Sequence, residues 1–156
     1  MKATLILVGK TTEDVFVRAI ADYTGRIAHY LPFNIVTLPE LKNTKKLSEA
    51  QQKDREGEII LKEIQTSDTV VLLDEHGKEF RSVEYAAWLQ KKQNTAKRLV
   101  FVIGGPYGFS KAVYDRANEK ISLSKMTFSH QMVRLIFVEQ LYRACSIIKG
   151  EPYHHE

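Results

Sequence analysis

The sequence predicts an α/β domain: a mostly parallel sheet with helices on both faces. Three observations carry that expectation. Apolar, strand-like segments alternate along the chain with helical ones, the pattern of βα units joined by crossovers. Several of these strands, TVVLL (69–73) and RLVFVI (98–103) among them, are apolar throughout, as strands are when both faces are buried. A chain of 156 residues, without a linker, repeat or low-complexity tract, fits one such domain spanning 1–156.

Each element follows in order. Residues 3–9 (ATLILVG) form a first strand, and 11–30 a helix with apolar Val15, Val17, Ile20 and Tyr23. Residues 33–38 (FNIVTL) are a second strand closed by Pro39, and 42–46 (KNTKK) a polar loop. An exposed helix over 47–64 carries Glu58 and Lys62 at the supportive i,i+4 spacing. The third strand, 69–73, ends at Asp74 and the turn-like EHGKEF. A helix over 82–93 is capped by Ser82. The fourth strand, 98–103, runs into FVIGGPYGFS, after which Ser110 caps a short helix reaching Ala117. A short fifth strand falls within 120–127. The longest helix spans 129–149, and its apolar residues (Val133, Ile136, Phe137, Leu141, Ala144 and Ile148, with Leu135, Val138, Tyr142 and Cys145 beside them) cover more than half its circumference. A surface helix needs one apolar stripe, so this helix is either a buried core element or also a subunit interface.

Composition narrows the function classes. Hydrophobic residues make up 44% of the chain and charged residues 27%, a balance that supports a buried core. No apolar run approaches the ~20 residues that cross a bilayer, and the first strand lacks a cleavage-like site, so a cytoplasmic protein without a membrane partner is expected. One cysteine, Cys145, permits no internal disulfide. The five histidines lack metal-ligand spacing except for the adjacent His154 and His155, and no metal is expected. The net charge of +4 mildly favours an anionic partner.

In open parallel sheets ligands sit beyond the carboxyl ends of the strands, where Asp74 and the glycine-rich stretch both lie. GGPYGFSK lacks the Gly-Lys-Ser/Thr ending of a phosphate-binding loop, and it follows the fourth strand, not the first. Gly104, Gly105 and Gly108 offer backbone free to take positive φ and to let a flat ligand approach. Taken alone, the loop is a tight turn or a ligand seat. Asp74 has no acidic partners after the first strand, which excludes a phospho-acceptor receiver domain.

The C-terminal third, SLSKMTFSHQMVRLIFVEQLYRACSIIKGEPYHHE, together with LLDEHGKEF and FVIGGPYGFS, closely resembles the bacterial 23S ribosomal RNA pseudouridine-N3 methyltransferases of the SPOUT class. The likeness covers essentially the whole chain, including LILVGK and the DREGE of the second helix. It rests on IGG-x-x-G, SLS-x-M-T, H-x-x-x-R and the terminal Pro-Tyr-His in combination. The resemblance implies a SPOUT-type α/β fold with a C-terminal trefoil knot and a homodimer. It implies S-adenosylmethionine as methyl donor and, as substrate, 23S ribosomal RNA in the assembled ribosome, with no DNA partner. It also implies a cofactor pocket at Leu73, Gly104, Gly105, Gly108, Leu123, Ser124, Lys125, Met126, Thr127 and Phe128. His130, Arg143, Tyr153 and His154 stand as catalytic candidates, and Lys42, Lys45, Lys46, Arg134 and Arg143 as RNA contacts; a solvated basic loop is the plainer reading of residues 42–46. His155 departs from the family's usual terminal Arg or Lys. Other SPOUT enzymes acting on tRNA or a ribose hydroxyl, a non-catalytic ribosome-associated nucleotide-binding module and a flavodoxin-like protein are the competing readings.

Overall fold

The computed structural model describes all residues, 1–156. Five strands, β1 (Lys2–Val8), β2 (Phe33–Leu38), β3 (Thr69–Glu79), β4 (Arg98–Ile103) and β5 (Glu119–Ser122), alternate with helices α1 (Asp14–Ile27), α2 (Glu49–Lys62), α3 (Ser82–Thr95), α4 (Lys111–Arg116) and α5 (His130–Ile148). A 3₁₀ turn at Thr44–Lys46 precedes α2. The sheet runs β2-β1-β4-β3-β5, and every neighbouring pair is parallel.

The unbroken apolar strands have the cause expected of them. Successive side chains point to opposite faces, and each face is covered. Ala3, Leu5, Leu7, Val71, Leu99, Phe101 and Ile103 pack with Ile20 and Ile27 of α1, Tyr85 and Leu89 of α3, and Phe137 and Leu141 of α5. Ile6, Val70, Leu72, Val100 and Val102 face the other way, against Ile60 of α2 and Val113 of α4. Phe101 and Phe137 meet with ring centroids 4.8 Å apart, fastening α5 to the middle strands.

Three elements differ from the sequence expectation. β3 does not end at Asp74 but continues to Glu79. Leu73 and Lys78 both lie opposite Ile121, so residues 74–77 bulge out before pairing with β5 resumes. The extension is polar because most of its residues are exposed, which is why it reads as a turn. Gly77 lies against the β5 backbone, where a Cβ would come 2.6 Å from the Ile121 nitrogen. Ser82 is not the cap of α3: Arg81 holds that position, its N–H donating to Glu84 at 2.8 Å, while the Ser82 hydroxyl bonds Gln140 of α5 at 3.2 Å. β5 stops at Ser122, leaving residues 123–128 as a loop.

α5 is not buried all round. Phe137, Val138, Leu141, Ala144 and Cys145 are enclosed, whereas Met132 is 38% exposed and Leu135, Tyr142 and Ile147 are half-buried. Arg134, expected to contact RNA, is 3% exposed. Its guanidinium donates to the Val8 carbonyl at 2.8 Å and the Thr11 hydroxyl at 3.0 Å. Burial lowers its pKa, against the opposing pull of Glu40. Arg134 therefore ties the start of α5 to the carboxyl end of β1.

Two outcomes follow for denaturant unfolding. Gly77→Ala should lose about 1–3 kcal/mol, because backbone, not a flexible side chain, blocks the added methyl. Arg134→Ala should lose about 2–3 kcal/mol by removing the charged hydrogen bonds to Val8 and Thr11; a mere phosphate contact would instead leave stability intact.

Candidate active site

A cleft of about 640 Å³ opens beyond the carboxyl ends of β3, β4 and β5. The loop after β4 forms one wall, the loop after β5 another, and the β3 bulge with Val133 of α5 closes the rest. Of the ten expected cofactor-pocket residues, nine line it: Leu73, Gly104, Gly105, Gly108, Leu123, Ser124, Met126, Thr127 and Phe128. Lys125 lies outside, its exposed ammonium 3.7 Å from Glu79.

The three loop glycines have separate physical reasons. Gly108 takes φ +81°, where side chains are strained. Gly104 and Gly105 do not; they lack room. A Cβ at Gly104 would stand 2.9 Å from the Phe109 ring, and one at Gly105 2.8 Å from Glu56 Oε1. The Gly105 N–H donates to that same oxygen at 2.8 Å. Burial pushes the Glu56 carboxyl above its ordinary pKa; the Gly105 N–H and nearby His130 oppose this, and Glu40 adds to it.

The loop after β5 is built differently. Ser122 donates to the Ser124 carbonyl at 3.0 Å, and the Ser124 hydroxyl accepts from the Met126 N–H at 2.9 Å. Residues 123–128 make no backbone–backbone hydrogen bond at all. Main-chain donors and acceptors normally find partners; apart from the Ser124 carbonyl and the Met126 N–H, those of this stretch have no partner within the chain, and they lie beside Leu73, Ile103, Leu123, Phe128 and Val133. An apolar slot edged by a few fixed polar groups suits a nucleoside-type cofactor; the residues present fit a methyl donor of the S-adenosylmethionine kind.

Sequence reasoning missed part of this lining. Tyr107, Tyr114 and His76 face the cleft. The Tyr114 hydroxyl donates to Asp74, whose other oxygen accepts from the His76 N–H at 2.9 Å. Burial, then Asp74, pushes the Tyr114 phenol up to about 12. Only the register of α4 after its Ser110 cap could have pointed to Tyr114, and Glu56 carried no signal beyond its place in DREGE.

The catalytic candidates fall in two places. His130, exposed, begins α5 just after its cap Ser129. Arg143, Tyr153 and His154 meet farther along that helix, around Glu139. Glu139 Oε1 accepts from Arg143 Nε at 3.0 Å and Nη2 at 2.5 Å, and from the Tyr153 hydroxyl at 3.1 Å. The Arg143 guanidinium sits 4.8 Å from the Tyr153 ring centroid. Its Nη1 lies 3.1 Å from His154 Nδ1. Arginine only donates, which makes Nδ1 the acceptor and leaves the imidazole proton on Nε2. That Nε2 is buried without a hydrogen-bond partner, 4.0 Å from Glu156 Oε1. Burial lowers the Arg143 pKa but its bonds to Glu139 outweigh this and raise it. Burial first, then the Tyr23 and Glu139 contacts, raises the Tyr153 pKa.

The chain end is tied down beyond this cluster. Tyr30 donates to Glu151 at 2.5 Å, Arg81 pairs with Glu156 at 2.7 Å, and the Tyr153 ring meets Tyr142 at 4.7 Å. His155 is exposed. None of Arg143, Tyr153 and His154 lines the cleft. Arg143 follows Val133 by ten residues, about 15 Å along the helix axis. Lys42, Lys45 and Lys46 are exposed around the 3₁₀ turn. No cluster of three or more His, Cys, Asp or Glu is arranged to hold a metal, and no helix is long and apolar enough to cross a membrane.

Comparison with known proteins adds an independent finding. A family model described as "Predicted SPOUT methyltransferase" matches residues 1–154. The chain is 64% identical to the ribosomal RNA large subunit methyltransferase H of Bacteroides fragilis, over all of both chains. It is 58% identical to the protein of that name from Christiangramia forsetii, over 99% of each, and 56% identical to that from Cytophaga hutchinsonii, over 99% of this chain and all of the other. The parallel five-stranded sheet covered on both faces fits the same class, and with it the expected trefoil knot. The chain belongs to the SPOUT methyltransferase family.

Proposed function

We propose that the protein transfers a methyl group from S-adenosylmethionine to N3 of a pseudouridine in 23S ribosomal RNA of the assembled ribosome, acting as a homodimer. The main support is the cleft beyond β3, β4 and β5, where nine of the ten expected residues gather and residues 123–128 make no backbone–backbone hydrogen bond. The names of the relatives, ribosomal RNA large subunit methyltransferases, agree with the RNA class.

When bound, the donor would supply an electrophilic methyl carbon on a sulfonium; N3, its proton passed to solvent water, would form the new C–N bond as the C–S bond breaks with its electron pair left on sulfur. The chain's task is alignment and charge. Leu73, Leu123 and Phe128 hold the apolar part of the donor, and the loops after β4 and β5 hold its polar edge. Arg143 fixes the His154 tautomer and Glu139 takes the Tyr153 O–H, so the cluster is set in place by its own hydrogen bonds. Once these internal bonds are exchanged for bonds to the substrate, the guanidinium's fixed positive charge and the two donors beside it suit the negative charge that grows on the uracil-type ring as N3 loses its proton.

Dimerisation is argued from distance. Arg143, Tyr153 and His154 stand away from their own chain's cleft, and α1 and α5 expose apolar side chains, with Val15 61%, Val17 42% and Met132 38% exposed. A two-fold dimer joining these helices brings one chain's tail to the other's cleft. The exposed Lys42, Lys45 and Lys46 serve phosphate contacts that weaken with salt.

Incubation with labelled donor should place label in the large-subunit RNA of intact ribosomes, at N3 of a pseudouridine. Equal labelling of naked RNA defeats recognition of the assembled ribosome; label in tRNA or on a ribose defeats the substrate assignment. Because its raised pKa keeps Tyr153 a phenol through neutral pH, Tyr153→Phe should lower the single-turnover rate without moving the pH profile below about pH 9. A shifted profile would make Tyr153 the titrating group.

A further inference from the structure

We propose that the neighbouring Glu56 and Gly57 of α2 are the positioning clamp of the glycine loop, holding its near and far ends so that its backbone is set before a ligand arrives. The inference rests on the reading of that loop as part of the donor seat.

The near end is held by a hydrogen bond. Glu56 Oε1 accepts the Gly105 N–H at 2.8 Å, and the carboxylate fills the space a Cβ on Gly105 would need. The peptide between Gly104 and Gly105 is trans, so its carbonyl points opposite to its N–H. Drawing the N–H toward α2 turns the Gly104 carbonyl away from α2. The far end is held by shape. Gly57 is buried; a Cβ there would run into the Ser110 hydroxyl and come within 3.2 Å of Ser110 Cβ and Val113 Cγ2. That hydroxyl caps α4 by accepting the Val113 N–H at 3.3 Å. Between these two anchors lie Pro106, Tyr107, Gly108 and Phe109, all on the cleft wall.

A half-buried carboxylate is a poor choice for packing alone. Glu56 pairs with no Lys or Arg within 4.0 Å, and burial works against its ionised form. Its one hydrogen bond goes to the loop. Holding the loop in one conformation removes an ordering cost from binding, which is what a donor seat built from main chain requires.

The test compares Glu56→Ala, which removes the acceptor, with Glu56→Gln, which keeps a carbonyl oxygen. Calorimetric titration with S-adenosylhomocysteine should show Kd at least tenfold weaker for Glu56→Ala and within threefold of wild type for Glu56→Gln. Methyl transfer by Glu56→Ala should lose more in donor KM than in kcat. Amide exchange of residues 104–109 without any ligand should quicken in Glu56→Ala and stay slow in Glu56→Gln. Unchanged exchange and Kd in Glu56→Ala, or equal loss in both variants, overturns the clamp. If wild-type protein binds no donor, or Leu123→Arg leaves Kd unchanged, the donor-seat reading fails instead; the exchange rates then still decide whether Glu56 orders the loop.

Discussion

One helix sets the geometry on which the rest depends. α5 leaves the loop after β5 at Ser129, lends Val133 to the cleft, and carries Glu139 and Arg143 in its later turns. A straight helix cannot bring both regions to one point. Arg134 fixes where α5 begins, by gripping the end of β1, and the Phe101–Phe137 contact fixes how it lies on the sheet. A buried guanidinium at this point is costly unless its donors are used, and two of its groups are spent on Val8 and Thr11. The cleft and the cluster around Glu139 are both consequences of that placement.

The cleft itself follows from parallel strands. All five carboxyl ends point the same way, so the loops after β3, β4 and β5 converge on one rim. Most of the structural work of the glycine loop is internal. Gly104 yields space to Phe109, Gly105 to Glu56, and Gly108 supplies the one positive φ. The loop after β5 does the opposite, making no backbone–backbone hydrogen bond. One wall is rigid by packing, and the other is open to hydrogen bonding.

The sheet and most helices were legible because their signals are local. Runs such as FNIVTL and RLVFVI have lengths and flanks that coincide with β2 and β4, and Ser110 and Ser129 cap α4 and α5 through their own side chains. The β3 extension was hidden because an exposed edge carries polar residues and Gly77 imitates a turn. Arg134 was misread for a related reason: an arginine among apolar neighbours looks like a surface cation until its partners, 126 and 123 residues away in sequence, are known. Tyr114 and the exclusion of Lys125 depend on side-chain direction, which neither spacing nor resemblance supplies.

The central claim is that a working site, as proposed, joins one chain's cleft to its partner's tail. Mixed dimers test it most directly. Co-expressing a cleft variant, Leu123→Arg, with a tail variant, Tyr153→Ala/His154→Ala, gives heterodimers in which one site is intact only if the tail crosses over. The account predicts that two inactive parents together recover about a quarter of wild-type methyl transfer, the share of intact sites in statistically mixed two-fold dimers. No recovery in purified heterodimers would contradict it, placing cleft and tail of a single chain in the same site.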